Sequence, residues 1–441
     1  MFFEREVTFQ LKAWTSRPKP KPLLLKGARQ VGKTSILKWF GKKEYEKTAY
    51  FNFDRQPDLK QFFELTKDPK RIIQNLSLVV GFSIEPRNTL IIFDEIQECK
   101  EALNSLKYFE ESDEAYHVIG AGSLLGVTLG NYSSFPVGKV EFLEIHPLTF
   151  LEFLNQKDPE MAEFIRGIEK VEPLLDYFVN RISESFRLFM ISGGMPEPAR
   201  EIAENGDLSR VEELLDNINQ AYQLDFSKHV PSKDIQKIAY IWDSIPSQLA
   251  KENKKFLYQV VKPGARAREY EDALTWLIQA GLVQKVSRIN KAAIPLPAYL
   301  DLSAFKIYLL DVGLLRKKAG LDAKMILNPN DLFSEFKGAL AENYILQSLL
   351  AQFDNAPVYW TSNGRAELDF LLQHEGELIP IEVKSAENIR GKSLSVYGEE
   401  NNPKVKIRFS MRNLIQQEGL INIPLFLVDR TKYFLDFVLK V

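Results

Sequence analysis

Residues Gly27-Ala28-Arg29-Gln30-Val31-Gly32-Lys33-Thr34, followed by Ser35, form the most informative segment of the chain. They fit the pattern G-x-x-x-x-G-K-[ST] of a phosphate-binding loop. Glycines in such a loop let consecutive backbone N–H groups point at phosphate oxygens. The apolar run Leu23–Leu25 before the loop indicates a buried strand, and the residues from Ser35 onward indicate a helix. A helix that begins at the loop also attracts anions, so the context favours a nucleotide site over a plain glycine-rich turn.

Lys33 and Thr34 are the side chains expected to do the chemistry of this loop. The lysine reaches the β- and γ-phosphates of a nucleotide, and the threonine hydroxyl ligates Mg²⁺. The sequence therefore predicts ATP and Mg²⁺ as ligands, with ADP as the product. All residues from Gly27 to Ser35 are predicted to line the nucleotide site.

Composition narrows the class of protein. The chain has 441 residues, 45% of them hydrophobic and 26% charged, as in a soluble globular protein of about three domains. Its single cysteine, Cys99, excludes an intramolecular disulfide, and the four histidines lack the spacing of zinc ligands. The absence of a leader pattern and of a membrane-length apolar run predicts a cytoplasmic protein without a membrane partner. A net charge of −2 gives no overall sign of nucleic-acid binding.

Short apolar segments alternate with helical ones through the first 150 residues. Strands are predicted at Thr48–Phe53, Thr89–Phe93, Tyr116–Ala121 and 139–145. Apolar strands separated by helices indicate a parallel sheet covered on both faces.

Asp94 and Glu95 follow the most apolar of these strands. The carboxyl ends of strands are where open α/β sheets bind ligands. We expect Asp94 to hold Mg²⁺ through water and Glu95 to act as the general base on the attacking water. Ser123, just past the next strand, either senses the γ-phosphate or is a small residue in a turn.

Several motifs resemble those of one family. The chain is similar to a large prokaryotic group of AAA-type ATPases with a carboxy-terminal nuclease-like domain. The shared motifs are GARQVGKT, LIIFDEIQ, VIGAGSLLG, LTFLEFL, GGMPEPAR and FKIYLLDVGLL. By resemblance Gly194 and Pro196 pack near the adenine, although a helix-breaking turn explains them equally well. The family's Gly-Arg dipeptide before the fifth strand is here Gly138-Lys139, and lysine lacks the bidentate fork of arginine.

A basic cluster precedes and begins the second helix of a possible winged-helix module. Its members are Lys254, Lys255, Lys262, Arg266 and Arg268, and a possible β-wing follows from Gly281 to about residue 310. A recognition helix meets DNA at this place in such modules. We therefore predict DNA contact at Lys262, Arg266 and Arg268. A solvated basic face, or a module that packs on protein, is the alternative.

Acidic residues recur in the last hundred residues in the order of a PD-(D/E)XK nuclease core. Glu342 lies in a predicted helix, Asp369 and Glu382 in successive predicted strands, and Lys384 two positions after Glu382. The two-residue period puts Glu382 and Lys384 on one side of the strand. Two carboxylates can hold Mg²⁺ or Mn²⁺, Glu342 could complete the set, and Lys384 can orient or deprotonate water. The alternative for Glu-x-Lys is a surface pair.

These predictions combine into one α/β architecture. A P-loop NTPase sheet of the AAA type occupies residues 1–157, a helical lid 158–227, a winged-helix module 228–330, and a restriction-endonuclease-like domain 331–441. The predicted function is ATP binding and hydrolysis with a tethered metal-dependent nuclease acting on nucleic acid. The alternative is a nucleotide-gated switch whose carboxy-terminal domain binds DNA or a protein without cleaving.

Overall fold

The computed structural model describes residues 3–123, 125–129, 138–230, 232–327, 334–362, 364, 366–384 and 392–440. They fall into two compact units. The amino-terminal unit comprises residues 4–146 with 279–281, and the carboxy-terminal unit comprises the remainder. Among the described residues, no helix combines the length and apolar character needed to cross a bilayer.

The amino-terminal unit is built on a five-stranded parallel sheet. Its helices are α1 (Val7–Thr15), α2 (Lys33–Glu44), α3 (Lys60–Leu65), α4 (Pro69–Val80), α5 (Lys100–Glu111) and α6 (Leu125–Leu129). Its strands are β1 (Leu23–Lys26), β2 (Lys47–Asn52), β3 (Thr89–Asp94), β4 (His117–Ala121) and β5 (Glu141–Glu144), in the order β2-β3-β4-β1-β5. Every adjacent pair is parallel, which confirms the predicted sheet.

Strand β3 is the centre of this unit's core. All six of its residues are buried, as expected of a strand covered on both faces. The Phe93 ring lies 5.7 Å from that of Phe53 and 5.4 Å from that of Phe63. Truncating such a ring to alanine typically costs about 3–5 kcal/mol. The packing also fixes the position of the next residue, Asp94, opposite Asn52 of β2 and Ala121 of β4.

The carboxy-terminal unit combines many helices with an eight-stranded mixed sheet. Its helices are α7 (Phe150–Lys157), α8 (Pro159–Arg166), α9 (Asp176–Ser192), α10 (Pro196–Glu204), α11 (Leu208–His229), α12 (Ser232–Leu249), α13 (Tyr258–Val261), α14 (Ala267–Gln279), α15 (Val312–Lys318), α16 (Ala323–Leu327), α17 (Ser334–Gln352), α18 (Ser393–Asn401) and α19 (Thr431–Leu439). Its strands are β6 (Val283–Ile289), β7 (Leu300–Leu309), β8 (Val358–Thr361), β9 (Glu367–His374), β10 (Glu377–Val383), β11 (Lys406–Ser410), β12 (Ile415–Gln417) and β13 (Leu420–Pro424), in the order β12-β13-β11-β10-β9-β8-β6-β7.

The predicted lid, winged-helix and nuclease-like segments share this one unit. The β6–β7 hairpin occupies the place of the predicted wing, but Arg288 and Ile289 of β6 also pair with Tyr359 and Trp360 of β8. These backbone hydrogen bonds continue one sheet across the expected boundary at residue 330. The division into four segments and the winged-helix interpretation remain predictions about the architecture.

Candidate functional site

The loop between β1 and α2 has the backbone shape that its glycines allow. Gly27 has φ +148°, and a Cβ there would lie 2.4 Å from the carbonyl oxygen of Ile145. Gly32, which precedes α2, has φ +96°. Arg5 supports the loop from behind, because its guanidinium donates to the carbonyls of Val31 at 3.2 Å and His146 at 2.7 Å. Residues of the amino-terminal unit therefore shape and brace the loop, and the first turn of α2 presents backbone N–H groups to an anion.

The Lys33 side chain is buried within the loop that carries it. Its ammonium donates to the carbonyl oxygens of Gly27 at 2.8 Å and Ala28 at 2.7 Å. Burial lowers the pKa of Lys33 to about 8, against the opposing effect of the nearby Glu95 and Asp94 carboxylates. A buried ammonium that bonds to backbone carbonyl oxygens can exchange them for the oxygens of a phosphate.

Asp94 is 3% exposed at the end of β3. Its Oδ2 atom accepts hydrogen bonds from the hydroxyls of Thr34 at 2.8 Å and Tyr50 at 2.6 Å. The Asn52 amide lies 3.5 Å from the same oxygen. Burial and the bond to Asp94 raise the pKa of Tyr50 to about 12, so the phenol remains a donor. The structure thus joins the loop threonine to the acidic strand end, as the Mg²⁺ prediction requires.

Glu95 directly follows Asp94 and adopts a left-handed conformation, with φ +50° and ψ +44°. Its Oε2 atom accepts a hydrogen bond of 2.6 Å from the Gln97 amide. Ser123 is 6% exposed, and its hydroxyl accepts from Nε of Arg29 at 3.2 Å. Arg29 of the phosphate loop is therefore in contact with the second residue after β4, and the γ-phosphate sensor role of Ser123 stays a prediction.

Lys139, which stands in this sequence where the resembled family has an arginine, is paired with acidic side chains. Its ammonium pairs with the carboxylates of Glu110 at 2.9 Å and Glu111 at 3.2 Å, both on α5. These bonds raise the pKa of Lys139. The two carboxylates of α5 therefore balance the positive charge of Lys139.

Gly194 and Pro196 lie in the carboxy-terminal unit. The Gly194 N–H donates to Oδ2 of Asp311 at 2.6 Å, and Gln347 donates to the same oxygen at 3.3 Å. Burial raises the pKa of Asp311 to about 6. Pro196 is the first residue of α10, a position whose backbone N–H has no acceptor within the helix, so the absence of an N–H in proline costs no hydrogen bond. These contacts join the GGMPEPAR and FKIYLLDVGLL motifs, and the adenine role of Gly194 and Pro196 stays a prediction.

The predicted basic cluster separates into two parts. Lys262, Arg266 and Arg268 are exposed around the start of α14. Lys254 instead turns inward, with its side chain 16% exposed and its ammonium 2.6 Å from Oε1 of Glu342. The ion pair with the buried Glu342 carboxylate directs the Lys254 ammonium inward. Lys254 is therefore not part of the exposed basic surface that Lys262, Arg266 and Arg268 form.

Glu342 on α17 is 3% exposed and already has its partners. Besides Lys254, the Tyr308 hydroxyl donates to its Oε2 at 2.9 Å. Although burial acts in the other direction, Lys254 and Lys306 hold the pKa of Glu342 below its ordinary value. Lys306, itself 1% exposed, pairs with Glu367 at 2.6 Å.

Asp369 and Glu382 lie on the adjacent antiparallel strands β9 and β10, as predicted. Oδ2 of Asp369 accepts from the Val383 N–H at 2.7 Å, and burial, with the Glu342 charge, raises the pKa of Asp369 to about 7. Glu382, 1% exposed, lies 3.1 Å from Nζ of Lys384 and 3.5 Å from Nε of Arg408.

The predicted three-carboxylate set is not assembled as a metal site. In the described parts of the chain, no three His, Cys, Asp or Glu side chains are arranged to hold an ion. Charge pairing accounts for two of the three carboxylates, because lysine ammonium groups lie against Glu342 and Glu382, while Asp369 accepts the backbone N–H of Val383. This differs from the expectation that Glu342, Asp369 and Glu382 converge around a cation.

Sequence reasoning missed Tyr50, Gln97 and Lys306. Tyr50 precedes Asn52 by two residues, so both face one side of β2, and Asn52 is in register with Asp94. The pairing of β2 with β3 therefore could have identified Tyr50 as a neighbour of Asp94. For Gln97 the only indication was its position two residues after the proposed base. Nothing near Lys306 in the sequence indicated its ion pair, because its partners are distant in sequence.

Comparison with known families divides the chain into three matched regions. Residues 19–154 match the AAA domain. Residues 183–325 and 337–427 match two domains of unknown function, DUF8612 and DUF4143. Two uncharacterised proteins, from Mycobacterium bovis and Mycobacterium tuberculosis, are each 32% identical over 120 residues. That segment is 27% of this chain and 24% of each relative, so the chain matches about a quarter of the relatives' length.

Solved structures give weaker similarities. The Walker-type ATPase of Pyrococcus abyssi superposes with a TM-score of 0.44 at 15% identity, over 72% of this chain and 96% of that one. The RuvB Holliday junction branch migration motor of Thermotoga maritima gives 0.29 at 15% identity, over 64% and 90%. Superpositions at this level carry no argument about function. The family match and the loop geometry do, and they show that the amino-terminal unit contains an AAA-type P-loop ATPase domain.

Proposed function

We propose that this protein binds ATP at the loop Gly27–Thr34 and hydrolyses it in a Mg²⁺-dependent reaction. The observation that carries the proposal is the 2.8 Å hydrogen bond from the Thr34 hydroxyl to Asp94. These residues are 60 positions apart in sequence, and their contact joins the phosphate loop to the acidic strand end.

The oxygen donors at this place fit Mg²⁺, which prefers hydroxyl, carboxylate and water ligands. Thr34 would hold the ion directly, and Asp94 would hold it through water. When bound, Mg²⁺ neutralises charge on the β- and γ-phosphates. Tyr50 keeps the Asp94 carboxylate oriented through its own hydrogen bond.

The protein's own groups would do the remaining work. Backbone N–H groups of the loop and the Lys33 ammonium would hold the phosphates. The Glu95 carboxylate would accept a proton from the attacking water as general base. Ser123 and Arg29 would contact the γ-phosphate.

Phosphate release by the purified full-length chain tests this proposal. We expect steady release from ATP with Mg²⁺ and none when EDTA removes the ion. A chain that binds ATP but releases no phosphate above the buffer background would contradict it.

A second candidate is a metal-dependent nuclease in the carboxy-terminal unit. One observation favours it: both carboxylate oxygens of Glu382 are buried and lack a hydrogen-bond partner, with Lys384 as the adjacent cation. The described residues nevertheless do not form a set that fits a metal ion. No cleavage step follows from this arrangement.

The charge pairing favours the non-cleaving alternative, a nucleotide-gated switch that binds DNA or a protein partner. Lys262, Arg266 and Arg268 are the exposed cations for a DNA phosphate backbone. Incubating the full-length chain with Mn²⁺ and single- or double-stranded DNA or RNA separates the candidates. The switch predicts retarded but intact nucleic acid, and the nuclease predicts fragments that Asp369→Ala abolishes.

Lys254→Met sharpens this test, because it removes the ammonium nearest to Glu342. If a metal site is only blocked, this variant should bind Mn²⁺ at least about tenfold more tightly than the parent in a calorimetric titration. Lys255→Met is the matched control on the neighbouring residue. Equal Mn²⁺ affinity in all three proteins would count against the nuclease.

A further inference from the structure

The proposed catalytic base is held in an unusual backbone conformation. Glu95 has φ +50° and ψ +44°, a left-handed geometry that non-glycine residues seldom adopt. Such residues persist where the surroundings hold them, and they concentrate at functional sites. The chain then makes a short 3-10 turn at Ile96–Glu98, which brings Gln97 back to Glu95.

Gln97 bonds directly to the carboxylate of that base. Its Nε2 atom donates to Oε2 of Glu95 at 2.6 Å. One carboxylate oxygen is therefore fixed by an amide donor. In the proposed reaction, the other carboxylate oxygen would receive the proton from water. An amide does not titrate, so it restrains the base without competing for that proton.

The end of β4 provides the space that Gln97 occupies. A Cβ on Gly122 would lie 2.1 Å from Oε1 of Gln97 and 3.0 Å from Cγ of Leu125. The φ of Gly122 lies outside the left-handed range, so the position requires glycine for room and not for conformation. The next residue, Ser123, accepts from Arg29 of the phosphate loop. Gln97 thus lies between the base and the strand end that contacts the loop.

We infer that Gln97 is a positioning residue for ATP hydrolysis: it orients the Glu95 carboxylate toward the attacking water, and Gly122 keeps the space for it. The inference rests on the proposed ATPase function. Orientation of a general base contributes to turnover and not to nucleotide affinity, because the base does not contact the phosphates in the ground state.

Gln97→Met tests the inference, since methionine keeps the length of the side chain and removes its donor. We expect kcat to fall about 10- to 100-fold, the range for a misplaced catalytic group, with KM, ATP affinity and Tm unchanged. Gln61→Met, on the exposed face of α3, is the matched control and should keep the parental kcat. Gln97→Met at the parental kcat would overturn the inference, while a parent chain without ATPase activity would overturn the proposed function instead.

Gly122→Ala provides an independent approach. The added methyl should displace the flexible end of Gln97 and lower kcat to a similar degree. Because both changes remove one interaction, their effects in the double variant should not add. Fully additive losses, or a Gly122→Ala variant with parental kcat, would show that Gln97 does not act through this contact.

Discussion

Asp94 in the amino-terminal unit and Glu342 in the carboxy-terminal unit are equally buried carboxylates with different kinds of partner. Asp94 accepts from the neutral hydroxyls of Thr34 and Tyr50. Glu342 accepts from the Lys254 ammonium and the Tyr308 hydroxyl. Neutral donors orient a carboxylate and leave its charge available to a divalent ion, whereas an ammonium partner already cancels that charge. The first arrangement suits metal-assisted chemistry, and in the second the protein itself supplies the neutralising charge.

The largest effect on nucleotide binding is expected at the phosphate loop. Lys33→Ala should weaken Mg·ATP binding by at least about 100-fold, because buried charge-assisted bonds to phosphate are lost. Lys42→Ala, exposed on the same helix α2, is the control. Calorimetry that shows equal ATP affinity for Lys33→Ala and the parent would contradict the assignment of this loop as the ATP site.

The exposed basic residues around the start of α14 are expected to affect DNA binding. Changing Lys262, Arg266 and Arg268 together to alanine should lower the slope of log K against log salt by about 2.7, since each phosphate contact contributes about 0.9. The matched control is the triple change of Lys170, Lys324 and Lys432, which are exposed elsewhere in the same unit. Fluorescence anisotropy with duplex DNA at several salt concentrations measures both. A slope that stays constant would assign this face to protein packing.

The pKa of Lys33 predicts how ATP affinity depends on pH. Burial lowers this pKa to about 8, and phosphate binding requires the charged form. Above pH 8 the free protein must therefore take up a proton to bind, so affinity should fall by up to about tenfold per pH unit, with no such loss below pH 8. Calorimetry at pH 9 in buffers of different ionisation enthalpy should detect proton uptake on ATP binding. An ATP affinity that stays constant from pH 7 to 9.5 would contradict the lowered pKa of Lys33.

The smallest effect is expected from the carboxy-terminal cluster. Asp369→Ala should leave ATP turnover within about twofold of the parent, because Asp369 belongs to the charge network of the other unit. A coupled phosphate-release assay measures this directly. A loss of ATPase activity in a folded variant would mean that the two regions are chemically dependent.

The same comparison explains what the sequence could predict. The parallel sheet and the loop were predictable because the information is local: Gly27 to Thr34 are contiguous, and β3 is an uninterrupted apolar run. The strands that carry Asp369 and Glu382 were predictable for the same reason. The partners of Glu342 were not, because Lys254 and Tyr308 come from distant segments, and spacing alone does not show which cation reaches a carboxylate first. The position of Lys306 likewise depends on tertiary packing.

The most direct measurement is single-turnover hydrolysis of ATP by Glu95→Gln beside the parent chain. The account predicts that the variant binds Mg·ATP with parental affinity and hydrolyses it about 10²- to 10⁴-fold more slowly, the usual contribution of one positioned base. Parental hydrolysis by Glu95→Gln would contradict the account, because the carboxylate after β3 would then have no part in activating water.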